Sequence, residues 1–114
     1  MTASRGHKLL TAEIKKKLPA LYSQEDVADP IVQVKFFSPY SNWRWFAIEF
    51  DGEDTFFGYV HGFDSELGYF SLKELDETTT KVFGVELPAV ERDTSFEPKP
   101  LSEVKRSLAG GGSG

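Results

Sequence analysis

The stretch from Ser41 to Gly58, SNWRWFAIEFDGEDTFFG, constrains the fold more than any other part of the chain. It holds both tryptophans and four of the ten phenylalanines, and an Asp-Gly-Glu-Asp segment divides it. Two aromatic-rich runs around such a turn predict a β-hairpin, with strands over about Trp43–Phe50 and Thr55–Gly62. A two-residue loop on Asp51-Gly52 and a four-residue loop on Asp51–Asp54 give the same faces, whereas a three-residue loop would flip one strand relative to the other. Arg44, Phe46, Ile48 and Phe50 then lie with Thr55, Phe57 and Tyr59, while Trp43, Trp45, Ala47 and Glu49 lie with Phe56, Gly58 and Val60. Both faces carry large apolar groups, whereas an antiparallel sheet with one solvated face alternates cleanly. Either other elements cover both faces, or the tryptophan face meets a partner.

The flanking sequence supplies candidate covers. A short helix is expected over about Thr11 to Lys17, capped by Thr11 and ended by Pro19, with Leu10, Ile14, Leu18 and Leu21 on one side. After a polar turn over Gln24 to Asp29, Ile31 to Phe37 reads as extended. Leu67 to Phe70 reads as a short strand. Ser71 and Glu74 have capping-box spacing for a brief helix to about Glu77. Val82-Phe83 and Val90 to Phe96 are candidate edge strands, and Leu101, Val104 and Leu108 line one side of a last helix. The sum is an α+β chain: one domain over residues 9–108, with a mainly antiparallel sheet of four to six strands and short N- and C-terminal helices. Residues 1–8 read as a flexible leader, and residues 109–114 have the composition of a Gly/Ser linker or tag remnant.

At 114 residues the chain is long enough to bury a core without staples, and 14% aromatic content offsets scarce aliphatics. Without cysteine there can be no disulfide, thiolate nucleophile or Cys-based zinc site. No apolar run reaches the roughly 18 residues of a membrane span, so a cytoplasmic protein is expected, with no membrane partner. The net charge of −5 is uneven: residues 47–77 hold nine acids and one base, Lys73. Such a surface suits a basic partner better than duplex nucleic acid, whose phosphates need cations.

The blocks Leu9-Leu10, Lys17–Tyr22, Asp29–Val32, Lys35–Pro39, Ser41–Phe46, Glu49–Gly58 and Leu67–Leu72 together resemble a family of small bacterial proteins classed as a domain of unknown function. The resemblance spans roughly residues 9 to 104. Members of that family occur largely on plasmids, phages and integrated elements, some fused or adjacent to antirestriction-type and conjugation proteins. The resemblance therefore implies an accessory factor of a mobile element, and it supplies no catalytic residues to carry over.

Three constellations could carry function. Glu49, Asp51, Glu53 and Asp54 offer oxygen ligands for Mg²⁺ or Ca²⁺, although Asp and Gly are also ordinary turn residues. His61 with Asp64 and Glu66 could form a metal site or an acid–base pair, or a half-buried histidine bonded to a carboxylate. Trp43, Arg44 and Trp45, with Tyr40 and Phe56, could be core, a protein interface or a platform for single-stranded bases. No nucleophile elbow, P-loop or dinucleotide glycine pattern is present, so neither a catalytic residue nor a cofactor is expected. The reading these observations favour is a non-catalytic protein-binding factor. Trp43, Arg44, Trp45 and Phe56 would anchor its partner, while Glu49, Asp51, Glu53 and Asp54 would steer a basic patch toward them. Single-strand binding through the same aromatics, with Lys15, Lys16, Lys17, Lys35 and Arg44, is the alternative. A metal-dependent enzyme using His61 is the second alternative.

Overall fold

The computed structural model describes residues 7–110, so most of the expected leader and of the Gly/Ser tail lie outside the described residues. The elements run in the order α1 (Ala12–Lys17), β1 (Ile31–Val32), β2 (Val34–Phe37), β3 (Arg44–Phe50), β4 (Thr55–His61), β5 (Ser65–Ser71), α2 (Leu72–Glu77), β6 (Thr79–Val82), β7 (Val85–Pro88), β8 (Glu91–Arg92), β9 (Lys99–Pro100) and α3 (Leu101–Ala109). Five strands form one sheet in the order β5-β4-β3-β2-β8, every neighbour antiparallel. Two-stranded pairs, β1 with β9 and β6 with β7, complete the α+β architecture.

Local chemistry explains the helix boundaries. Thr11 caps α1 by accepting from the Ile14 N–H, and Pro19 follows the last turn. Ser71 caps α2 by accepting from the Glu74 N–H, where the capping-box spacing predicts it. At α3 the N-cap position is Pro100, which makes no side-chain cap. A distant residue supplies one instead: Asp29 accepts from the Ser102 N–H at 2.9 Å and from its hydroxyl at 2.6 Å. The helix is thereby tied to the chain that enters β1.

Both faces of the sheet are covered. On one, Val34, Phe36, Ala47, Phe50 and Phe56 pack with Leu9 and Leu18 from the N-terminal segment, Leu75 of α2, and Val90. On the other, Val32, Phe46 and Ile48 pack beneath Leu101 and Val104 of α3. At ~25 cal/mol per Å² of apolar burial, each fully buried phenylalanine contributes on the order of 3 kcal/mol before entropy is counted. That aromatic burial is how a chain with few aliphatics builds two cores.

Asp51–Asp54 separate β3 from β4, but Phe50 stands opposite Phe56 and not opposite Thr55 as an even-numbered loop would place it, because the registration shifts between Ala47 and Glu49. This β-bulge corrects the strict alternation expected for β3. Up to Ala47 the faces are as predicted, Phe46 opposite Tyr59 and Ala47 opposite Gly58. Beyond it Glu49 stands opposite Phe57, on the α3 face, and Phe50 joins Phe56, their rings stacked at 4.4 Å. Gly58 sits beside the bulge because a Cβ there would fall 1.9 Å from the Phe46 carbonyl oxygen. The close approach comes from backbone atoms of Phe46 and Ala47.

Two edge-strand expectations change. Phe83 belongs to no strand; it is the first residue of a tight turn, with φ 51° at Phe83 and 81° at Gly84, between β6 and β7. Of Val90–Phe96 only Glu91 and Arg92 pair with the sheet.

Candidate functional site

Trp43 and Trp45 are neither core nor free surface. Their rings stack 5.8 Å apart. Trp45 packs against the core on the face of Phe56, while Trp43 lies across Gly62, where a Cβ would come within 2.5 Å of the indole. Phe63 meets Trp43 edge-on at 5.5 Å although it is 94% exposed. The tryptophans wall a cavity of about 320 Å³ completed by Ser38, Thr78, Ala89 and Val90. The β6–β7 hairpin springs from its rim, held at the root by the Ala89 N–H donating to the Thr78 carbonyl, and ends in the fully exposed Phe83.

The remaining expected anchors separate. Phe56 is wholly buried, T-shaped to Phe36 and stacked on Phe70, so it serves the core and offers no surface contact. Arg44 points off the tryptophan face; its guanidinium donates to the Ser41 and Trp43 carbonyls at 3.1 and 2.9 Å and lies 5.9 Å from the Phe37 ring. It braces the turn that presents Trp43.

The carboxylates also divide. Asp51 accepts from the Glu53, Asp54 and Thr55 N–H groups, which together hold its carboxyl below the usual carboxylate range. Asp54 accepts from the Ser71 hydroxyl and the Lys73 N–H at the start of α2. Glu53 remains exposed. Glu49 is only 3% exposed, so its expected role in steering a partner across the surface is corrected by the bulge that buries it. Its two oxygens accept from the Tyr22 N–H at 2.9 Å and the Gln24 N–H at 2.8 Å.

His61 bonds Ser65 through Nδ1 at 2.6 Å, in place of the expected carboxylate, and Asp64 and Glu66 are exposed. Among the described residues no three His, Cys, Asp or Glu side chains come together to hold a metal ion. Lys35 is buried 3.5 Å from Asp93. Burial pushes its ammonium pKa down, and Asp93 opposes that shift. No helix among the described residues is long and apolar enough to cross a membrane.

Sequence reasoning passed over a second concavity on the α3 face. Glu49 and Phe57 open into a cavity of about 350 Å³ bordered by Tyr22, Leu67, Tyr69 and Lys105. Tyr22 adopts φ 70° there, a left-handed conformation rare outside glycine. No local pattern announces it, because its residues come from a turn, three strands and a helix.

A family model described as "Protein of unknown function (DUF2958)" matches residues 9–110, nearly all of the described chain. No curated protein and no solved structure matches it.

Proposed function

We propose, from the premise that this chain belongs to the family of proteins of unknown function (DUF2958), that it is a non-catalytic protein-binding module whose tryptophan cleft seats an apolar side chain of its partner. The observation that carries this reading is Trp43, half-exposed on Gly62 between Trp45 and the almost fully exposed Phe63. Rigid stacked aromatics around an apolar hollow lose little entropy on binding, and tryptophan is enriched among interface anchors. Acidic Asp64, Glu77 and Glu91 adjoin Phe63, Thr78 and Val90 in sequence and favour a partner with a basic patch.

The setting that fits is the bacterial cytoplasm, as an accessory factor of a mobile element that modulates a nucleic-acid-handling or defence complex. Single-strand binding has less support. Lys35 is buried against Asp93 and Arg44 is engaged with backbone carbonyls, so neither lines an electrostatic groove beside the indoles.

Capture from host lysate after nuclease treatment tests the reading, with wild type compared against a Trp43→Ala, Phe63→Ala double variant. A protein retained in stoichiometric amount by wild type and lost by the variant is the expected result, both unfolding at the same temperature. Equal retention by both would remove the cleft from the interface. Recovery that vanishes with nuclease would move nucleic acid to first place.

A further inference from the structure

The α3 face carries a cavity floored by a buried carboxylate, and beside it runs an unpaired strand edge. Among the described residues β5 is the terminal strand of the sheet, seven residues long and paired only with β4. Edge strands are commonly blunted by lysine, proline, a bulge or a covering element. β5 has no lysine or proline, pairs with β4 without a register shift, and bears one charged residue, Glu66. Its alternation places Leu67 and Tyr69, both exposed, on the α3 face at the rim of the cavity.

The cavity chemistry is that of a cation site. Each Glu49 oxygen accepts one backbone N–H and keeps a further acceptor position. Among the described residues no Lys, Arg or His nitrogen lies within 4 Å of it, although a buried carboxylate is normally paired. Lys105, the base that borders the cavity, rests 5.3 Å from the Tyr59 ring centre. The Phe57 and Tyr69 rings lie 5.1 Å apart, tilted by 60°, and Tyr22, strained at φ 70°, adds a third ring. Aromatic faces around a carboxylate attract a desolvated ammonium or guanidinium. The field is already negative: partial burial, the Tyr22 hydroxyl and the charges of Glu25 and Glu49 push the Tyr69 phenol above its ordinary range.

We infer that this cavity and the free edge of β5 form a second binding site, on the face opposite the tryptophan cleft, for an extended segment of a basic polypeptide. The segment pairs with β5 as a sixth strand, and one lysine or arginine side chain crosses the Leu67–Tyr69 rim to Glu49. A strand beside β5 presents alternate side chains to this face, and only a long cationic one reaches over the rim. The occupant is basic because the acids Glu25 and Glu49 line the cavity, while Lys105, the one base on its border, is turned onto the Tyr59 ring. The inference does not depend on the tryptophan cleft.

The test is a fluorescence-polarisation titration with a threonine-rich peptide about nine residues long, carrying one central lysine, arginine or norleucine. A fourth peptide carries lysine and N-methylated alternate amides. The lysine and arginine peptides are expected to bind saturably. The norleucine and N-methylated peptides should bind at least about tenfold more weakly. Tyr69→Lys, an exposed change that sets a cation at the rim, should abolish binding with the melting temperature unchanged; Glu49→Gln should weaken it. Equal affinity for the norleucine peptide, or binding that survives Tyr69→Lys, overturns the cation site. Equal affinity for the N-methylated peptide overturns strand pairing. A stable dimer of the protein alone that Tyr69→Lys disperses gives the edge to a second copy and overturns the peptide.

Discussion

The tryptophan cleft and the Glu49 cavity lie back to back across β3 and β4, and they are made of opposite materials. The cleft is apolar, its indoles set by one glycine and by backbone carbonyls held on Arg44. The cavity has an acid at its floor and a strained tyrosine at its mouth. A single bulge in β3 makes both possible. Without it Glu49 would point into the core of Phe36 and Phe56, where an unpaired charge costs several kcal/mol. With it, the acid leaves that core and Phe50 takes its side. One irregular residue thus lets a strand serve two unlike surfaces.

The change expected to break the comparison most completely is Gly58→Ala. Its Cβ would collide with the Phe46 carbonyl beside the bulge, and backbone cannot swing aside. A loss of about 3 kcal/mol or more in urea unfolding is expected, with both faces affected. Glu49→Ala comes next and should strike one face only. The Tyr22 and Gln24 N–H groups lose their acceptor, for about 2 kcal/mol, while the tryptophan emission of the native protein stays unchanged.

Acid should separate the faces without mutation. The Ser102 hydroxyl, and then its N–H, hold the Asp29 carboxyl below its usual range. Its contribution is therefore complete above the ordinary aspartate pKa and is lost as pH falls through the lowered folded value. The protection of the Ser102 amide against exchange, relative to its intrinsic rate at each pH, should fall on acidification before tryptophan emission shifts. In Asp29→Asn that pH dependence should disappear. The smallest effect is reserved for Gly62→Ala, whose Cβ would meet the six-membered ring of the Trp43 indole first. Stability should change by less than about 1 kcal/mol, while emission and partner capture both change. An unaltered spectrum would mean that Trp43 does not depend on Gly62.

What was legible in the sequence was what short spacing encodes. The caps at Thr11 and Ser71, the stop at Pro19, the hairpin around Asp51–Asp54 and the apolar side of α3 all follow from neighbours within about one turn. The bulge was not, because Phe46, Ile48 and Phe50 alternate faultlessly and only the partner strand reveals the extra residue. Phe83 in a left-handed turn reads as strand because its β-propensity is high and its position is normally filled by Asn, Asp or Gly. At the candidate site, Trp43 and Trp45 could be named but not placed. Tyr22, distant in sequence from both Glu49 and Tyr69, gave no signal, since its partners are chosen by tertiary packing.

The remote cap on α3 also sets a schedule. The tryptophan face is roofed in part by Leu9 and Leu18, which are synthesised before any strand of the sheet. The opposite face waits for Leu101 and Val104, some thirty residues after β5 ends. At about 5–20 residues per second of translation, Phe46 and Ile48 of β3 stay wet on the order of seconds after their strand is made. During that interval the nascent chain is a half-built sandwich, a natural client for chaperones. A stop codon anywhere between Ser71 and Leu101 would leave it so permanently.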